Sequence, residues 1–150
     1  MKRREFCGSV CQAVSLVTLG SLAQDCGGSP TAPSVRSVPG LASLTATIVN
    51  GVVTLAIDPG SPLQVVGAAA LVNSDAGTFL VRRSAQNTFT AMTGICTHEA
   101  CTITGFDGSR FVCPCHGSEF NTSGGVAVGP ASSPLRQFTA QFANSVLTIA

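Results

Sequence analysis

From Leu41 onward apolar and polar positions alternate with a period of two, broken at short intervals by turn residues. Residues 45–49 and 52–57 flank Asn50-Gly51, a dipeptide suited to a type I′ turn, and together predict a hairpin. Asp58-Pro59-Gly60-Ser61-Pro62 reads as a turn, and residues 63–72 follow as an apolar strand, weak at its alanine run. Residues 78–82 and 88–93 predict two further strands around a polar turn at 83–87. The C-terminal end repeats the plan, with a strand over 135–142, a turn at Ala143-Asn144 and a strand over 146–149. No stretch after the first 29 residues keeps helical periodicity over twelve positions, and no internal repeat is present. The pattern predicts a small all-β domain over about 41–150, with a Cys/His-rich segment inserted between its later strands.

Composition agrees with one compact domain. The chain has 150 residues, 45% apolar and 10% charged, which excludes disorder of the whole chain. Sixteen Gly and eight Pro, with no Trp or Tyr, fit a turn-rich β protein. The net charge is +1, and Lys2, Arg3 and Arg4 sit together while only five arginines follow. That leaves no basic stripe, so nucleic acid is excluded as a partner.

Residues 1–29 read as an export signal, set aside from fold reasoning. Lys2-Arg3-Arg4 forms its charged start and residues 7–23 its apolar stretch, which holds Cys7 and Cys11. Arg3-Arg4-Glu5-Phe6 resembles a twin-arginine signal, the address of proteins exported already folded. Three fates are open: cleavage after Ser21-Leu22-Ala23, a lipid on Cys26, or retention as a membrane anchor. Each puts the domain outside the cytoplasm, periplasmic or on the outer face of the bacterial cytoplasmic membrane, peripheral or anchored. Residues 30–40, rich in Pro and Ser, read as an extended linker.

Candidate chemistry concentrates in one segment. Four of the seven cysteines, Cys96, Cys101, Cys113 and Cys115, and both histidines, His98 and His116, fall between positions 96 and 116. They form two blocks, Cys96-Thr97-His98-Glu99-Ala100-Cys101 and Cys113-Pro114-Cys115-His116-Gly117-Ser118. Two Cys and two His can fill one tetrahedral zinc site. They can also hold a two-iron cluster with thiolates on one iron and imidazoles on the other. Spacing alone leaves both readings open.

The blocks resemble the two boxes of the Rieske iron–sulfur family, Cys-Thr-His-x-x-Cys and Cys-Pro-Cys-His-Gly-Ser, both intact here. The resemblance implies a Rieske-like antiparallel β sandwich or partial barrel with a cluster-binding subdomain at about 94–131. It implies a [2Fe–2S] cluster with Cys96 and Cys113 on one iron and His98 and His116 on the other. Cys101 and Cys115 match the disulfide pair of the quinol-oxidising, cytochrome bc-type branch. Ser118 matches a hydroxyl that bonds a bridging sulfide, and Gly129-Pro130-Ala131 resembles the Pro loop that covers the cluster. Two positions depart from the pattern. Phe120 stands where high-potential relatives carry a Tyr that donates to a cysteine sulfur, and Glu99 where a bulky apolar residue shields the cluster. A lost donor and an added negative charge both lower the expected potential.

The expected function is therefore exported one-electron transfer, with no bond-making of the protein's own. The protein would be a stand-alone carrier or a subunit of a periplasmic oxidoreductase such as arsenite oxidase. Its partner would be a cytochrome or an oxidoreductase large subunit. The alternatives are the iron–sulfur subunit of a cytochrome bc-type quinol oxidase, with quinol as substrate, and a zinc-stabilised structural module. Whether the chain counts as an enzyme depends on the complex it serves. Phe79, Phe89, Phe106, Phe111, Phe138 and Phe142 alternate with polar neighbours and are assigned to the core. Arg82-Arg83 reads as a solvated strand end, or else a partner-docking patch.

Overall fold

The structure, a computed structural model, describes residues 35–150; the export segment and residues 30–34 of the linker lie outside the described residues. Thirteen strands follow in order: β1 (Ala42–Thr45), β2 (Thr47–Val49), β3 (Val52–Ala56), β4 (Ala69–Ser74), β5 (Gly77–Ala85), β6 (Thr88–Thr93), β7 (Gly105–Phe106), β8 (Arg110–Val112), β9 (Glu119–Asn121), β10 (Val126–Val128), β11 (Gln137–Phe138), β12 (Ala140–Ala143) and β13 (Val146–Ile149). They make three sheets, ordered β1-β4-β5-β6-β11, β12-β13-β3-β2 and β10-β9-β8-β7. All pairings are antiparallel except β1 with β4, which run parallel.

Period-two alternation assigns each face of the first sheet. Ala70, Val72, Phe79, Val81, Phe89 and Ala91 point to one side and pack with Val53, Leu55, Leu147 and Ile149 of the second sheet. Leu71, Leu80 and Met92 point to the other side, against Ile103, Phe111, Cys113 and Phe120. The central sheet is thus covered on both faces, which is why Phe79-Leu80-Val81 is apolar without a break. The third sheet and its loops are residues 94–136, the stretch between β6 and β11.

The Asn50-Gly51 hairpin forms as expected, with Val49 facing Val52 and φ of 51° and 79° at the two turn residues. Residues 63–72 do not form one strand. Ser61 caps a 3-10 turn at Pro62–Gln64, accepting from the Leu63 amide at 3.3 Å, and β4 begins only at Ala69. Leu63 is fully buried from that turn, so its hydrophobicity serves a plug into the sandwich core. The strand expected over 135–142 divides at Thr139, with β11 joining the first sheet and β12 the second.

Arg83 also departs from expectation: it lies in β5 and is 4% exposed, neither a solvated end nor a docking patch. Its guanidinium donates to the carbonyls of Leu63 (3.1 Å), Gln64 (2.8 Å) and Gln86, and stacks over Phe89 and Phe142. Three backbone carbonyls and two aromatic faces replace the water that a buried guanidinium loses. Of the six phenylalanines assigned to the core, Phe79, Phe89 and Phe111 are buried, while Phe106, Phe138 and Phe142 are partly so.

Candidate metal centre

Two loops of matching backbone geometry carry the Cys/His blocks. In the first, between β6 and β7, the Cys96 amide donates to the Cys101 carbonyl at 2.8 Å and the Ala100 amide to the Cys96 carbonyl at 3.0 Å. In the second, between β8 and β9, the Cys113 amide donates to the Ser118 carbonyl at 2.9 Å and the Gly117 amide to the Cys113 carbonyl at 3.1 Å. Each loop reverses at a left-handed residue four places after its first cysteine, Ala100 at φ 55° and Gly117 at φ 74°. Gly117 adopts that conformation freely, whereas Ala100 does so against its Cβ.

This equivalence places Cys96 and Cys113 alike, at the root of each loop, where they are 3% and 1% exposed. Burial pushes the Cys113 thiol above its ordinary pKa, with the neighbouring Cys96 adding to the rise. Cys101 and Cys115 are disulfide-bonded with Cα atoms 6.5 Å apart, so the loops are tied to each other and only Cys96 and Cys113 remain as thiols among the described residues. His98 and His116 sit further out, with side chains 30% and 38% exposed and ring centroids 5.1 Å apart, edge to face. Glu99 spans them, one carboxylate oxygen 3.7 Å from His98 Nε2 and the other 3.7 Å from His116 Nδ1.

A third loop closes the side. Ser118, fully buried, accepts from the Ala131 amide at 2.9 Å through its hydroxyl, which keeps its own proton free to donate. Thr97 donates to the Ser133 carbonyl at 2.6 Å. Gly129-Pro130 is a cis peptide, and Ala131 beyond it is buried. Phe120, next but one to Ser118, is 0% exposed in the core beneath the loops and carries no donor.

The donor set can be tested against the two groups that the residues leave open. A single zinc needs four donor atoms at the corners of one tetrahedron, about 3.3–3.8 Å apart. Among the described residues no close-set group joins the free thiols to the imidazoles: His98 lies with Glu99 and His116, while Cys113 lies with the two sulfurs of the disulfide, which are bonded to each other and are not thiolate donors. Two adjacent buried thiols at one end and two adjacent imidazoles at the other fit a binuclear centre with sulfur ligation inward and nitrogen ligation outward.

Four charged residues that sequence reading passed over meet beside the second loop. Arg36 donates to Asp107 at 2.6 Å and to Glu119 at 3.2 Å, and Arg110 donates to Glu119 at 2.8 Å. Hydrogen bonds from Arg36 and from the Ser109 and Arg110 amides hold the Asp107 carboxyl well below the usual carboxylate range. The hydrogen bond from Arg110, and then that from Arg36, lowers Glu119. These partners lie 71, 83 and 9 positions apart in the chain, so no local spacing marks them.

Comparison with known proteins gives a consistent result. The family profile of the Rieske [2Fe-2S] domain matches residues 56–139, more than half of the chain. The cytochrome b6-f complex iron-sulfur subunit of Gloeobacter violaceus is 33% identical over 97 residues, covering 63% of this chain and 51% of that protein. The chain therefore spans about half the length of that curated relative, and less of other relatives it matches. Among solved structures, a chain from the complex of reduced oxygenase and oxidized ferredoxin in carbazole 1,9a-dioxygenase superposes with TM-score 0.51 at 27% identity, covering 63% of this chain and 96% of that one. The ferredoxin of carbazole 1,9a-dioxygenase from Nocardioides aromaticivorans IC177 shares the fold, with TM-score 0.50 at 17% identity over 65% of this chain and 96% of its own.

Proposed function

The chain belongs to the Rieske [2Fe-2S] domain family, and on that premise we propose that it is an exported one-electron carrier whose Cys96 and Cys113 hold one iron while His98 and His116 hold the other. The observation that carries this reading is the sorting of donors: a buried pair of thiols behind a half-exposed pair of imidazoles. When bound, the cluster supplies a one-electron couple, which His ligation on one iron puts at roughly −150 to +300 mV.

The chain's own residues account for the rest. Cys96 and Cys113 give up their protons on loading, which reverses the cost of ionising a buried thiol because the metal takes the place of the proton. The Cys101–Cys115 disulfide keeps the two loops at a fixed separation and needs an oxidising compartment, which supports export. Ser118, held by the Ala131 amide, keeps a proton to donate, and a donor beside the cluster would stabilise its reduced form. His98 and His116 are the route for the electron, because they are the donors a partner can touch. Glu99 sets a negative charge at that edge and disfavours added electrons there, and Phe120 withholds a donor.

The partner in this reading is a cytochrome or the large subunit of a periplasmic oxidoreductase, and export proceeds through residues 1–29. A second reading, the iron–sulfur subunit of a cytochrome bc-type quinol oxidase, draws support from the relative in Gloeobacter violaceus. Exposed Glu99 beside both imidazoles favours the carrier, because a carboxylate there opposes an apolar quinol-site contact. The test is metal and sulfide analysis of the purified full chain with EPR under ascorbate and under dithionite. Two iron and two sulfide per chain with a Rieske-type signal are expected. A signal that appears only with dithionite fits the carrier, and one already complete with ascorbate fits the quinol-linked reading. Stoichiometric zinc with no signal overturns both.

A further inference from the structure

Residues 35–40 lie against the inserted segment rather than apart from it. Gly40 bridges Gly105, the Phe106 amide donates to the Pro39 carbonyl at 3.0 Å, and the Leu41 amide donates to the Thr104 carbonyl at 2.7 Å. This stretch extends the third sheet beyond β7 as an added edge. Val38 sits where a side chain on residue 105 would be: a Cβ built on Gly105 would meet Val38 Cγ2 at 2.5 Å, so only glycine leaves room for the contact. Val35 reaches the second loop, 3.8 Å from the place of a Cβ on Gly117. Arg36 then clamps the stretch from outside, one guanidinium shared between Asp107 and Glu119, with Arg110 on the far side of Glu119.

We propose that residues 35–40 form a latch, docked on the third sheet by backbone pairing and locked by Arg36, which fixes the start of the domain beside the Cys113 loop and shortens the lead that precedes it. Released, six residues add about 20 Å of reach at roughly 3.3 Å each. Arg36 is half-exposed at 49%, so the lock is open to salt, while Glu119 at 10% gives it a partly sheltered anchor. The backbone bonds alone make an edge of two residues' pairing, which is marginal in water. The side-chain lock is therefore what decides between docked and free. The proposal concerns the domain's own N-terminal stretch and does not depend on which metal the loops hold.

Amide hydrogen exchange of the full, metal-loaded chain tests the latch, read at Leu41 and Phe106, with Leu80 and Val81 as core references. In Arg36→Gln we expect exchange at Leu41 and Phe106 to quicken about two- to fivefold, the range for losing an exposed ion pair, with Leu80, Val81 and the metal content unchanged. High salt should quicken the same two amides in the parent chain and leave Arg36→Gln unaffected. Asp107→Asn should give a smaller change of the same sign, since Glu119 still holds Arg36. Equal exchange in parent and Arg36→Gln overturns the proposal, as does absence of protection at Leu41 and Phe106 in the parent. A matching acceleration at Leu80 and Val81 would mean general destabilisation and overturns it too.

Discussion

The sandwich and the segment inserted into it are both β structure, yet different forces hold them. The sandwich has strands of up to nine residues and a core of thirteen buried side chains, all aliphatic or aromatic. The insert has four strands of two or three residues, too short to be stable by pairing alone. Its order comes from the buried layer it shares with the central sheet and from cross-links: the disulfide, the Ser118–Ala131 and Thr97–Ser133 hydrogen bonds, the Arg36 and Arg110 ion pairs, and the metal that the Cys/His loops are expected to bind. The insert buries its apolar side on the central sheet and presents polar ligands on the other, and there tethers between side chains add to the burial.

The largest effect that breaks the comparison is loss of a thiol at the loop root. Cys113→Ser should remove iron from the purified chain entirely while far-UV circular dichroism keeps the sandwich signature; iron retained at parent level would contradict the assignment. Leu147→Ala removes a fully buried side chain from the sandwich core. It should cost about 2–5 kcal/mol of global stability in denaturant unfolding, with the ligand loops following only because their platform is lost. Replacing Cys101 and Cys115 together by Ser opens a cross-link of sequence separation 14. That should cost about 3 kcal/mol, and hydrogen exchange should report it in the insert before the sandwich. The order of these last two sites of damage is the sharpest contrast between the regions, and coincident exchange in both would erase it.

Asn50-Gly51 and the two Cys/His blocks were legible in the sequence because each acts over a few residues. A turn type needs two adjacent residues, and a loop presents its ligands within six positions. Strands β5 and β6 were legible because each is a run of β-forming residues bounded by turn residues, whereas β4 was legible only in part, its start placed too early. The third sheet was not, since no strand of two or three residues can display a period. Residues 63–68 read as strand because an apolar run carries no mark of whether it is extended or turned, and the Ser61 cap decided it. Arg83 and Arg36 were misread or missed for one reason. Their partners, carbonyls about twenty positions away and carboxylates more than seventy away, come together only in the folded chain.

Smaller effects sharpen the account of tuning. Phe120→Tyr puts a hydroxyl in the buried layer beneath the loops. If it donates to a cysteine sulfur, a bond of about 1 kcal/mol raises a one-electron potential by about 40 mV, read by redox titration; an unchanged or lower potential would show that residue 120 does not reach the site. The smallest effect is on pH. Asp107 and Glu119 are both held below their ordinary values in the folded chain. A lowered folded value means that the contribution is full above the unfolded carboxylate range, near pH 4, and is lost as pH falls through the folded values. Exchange at Leu41 and Phe106, corrected for intrinsic rates, should stay constant from pH 7 to about 5 and quicken only below about 4. A transition near pH 6 would point to a different group.

The most direct test of the central claim, thiols inward and imidazoles outward on one binuclear centre, is pulsed EPR of the reduced chain labelled with 15N-histidine. Two distinct strongly coupled nitrogens are expected, with one coupling lost in each of His98→Cys and His116→Cys variants that retain iron. A single coupled nitrogen, none, or two couplings that survive both substitutions would contradict it.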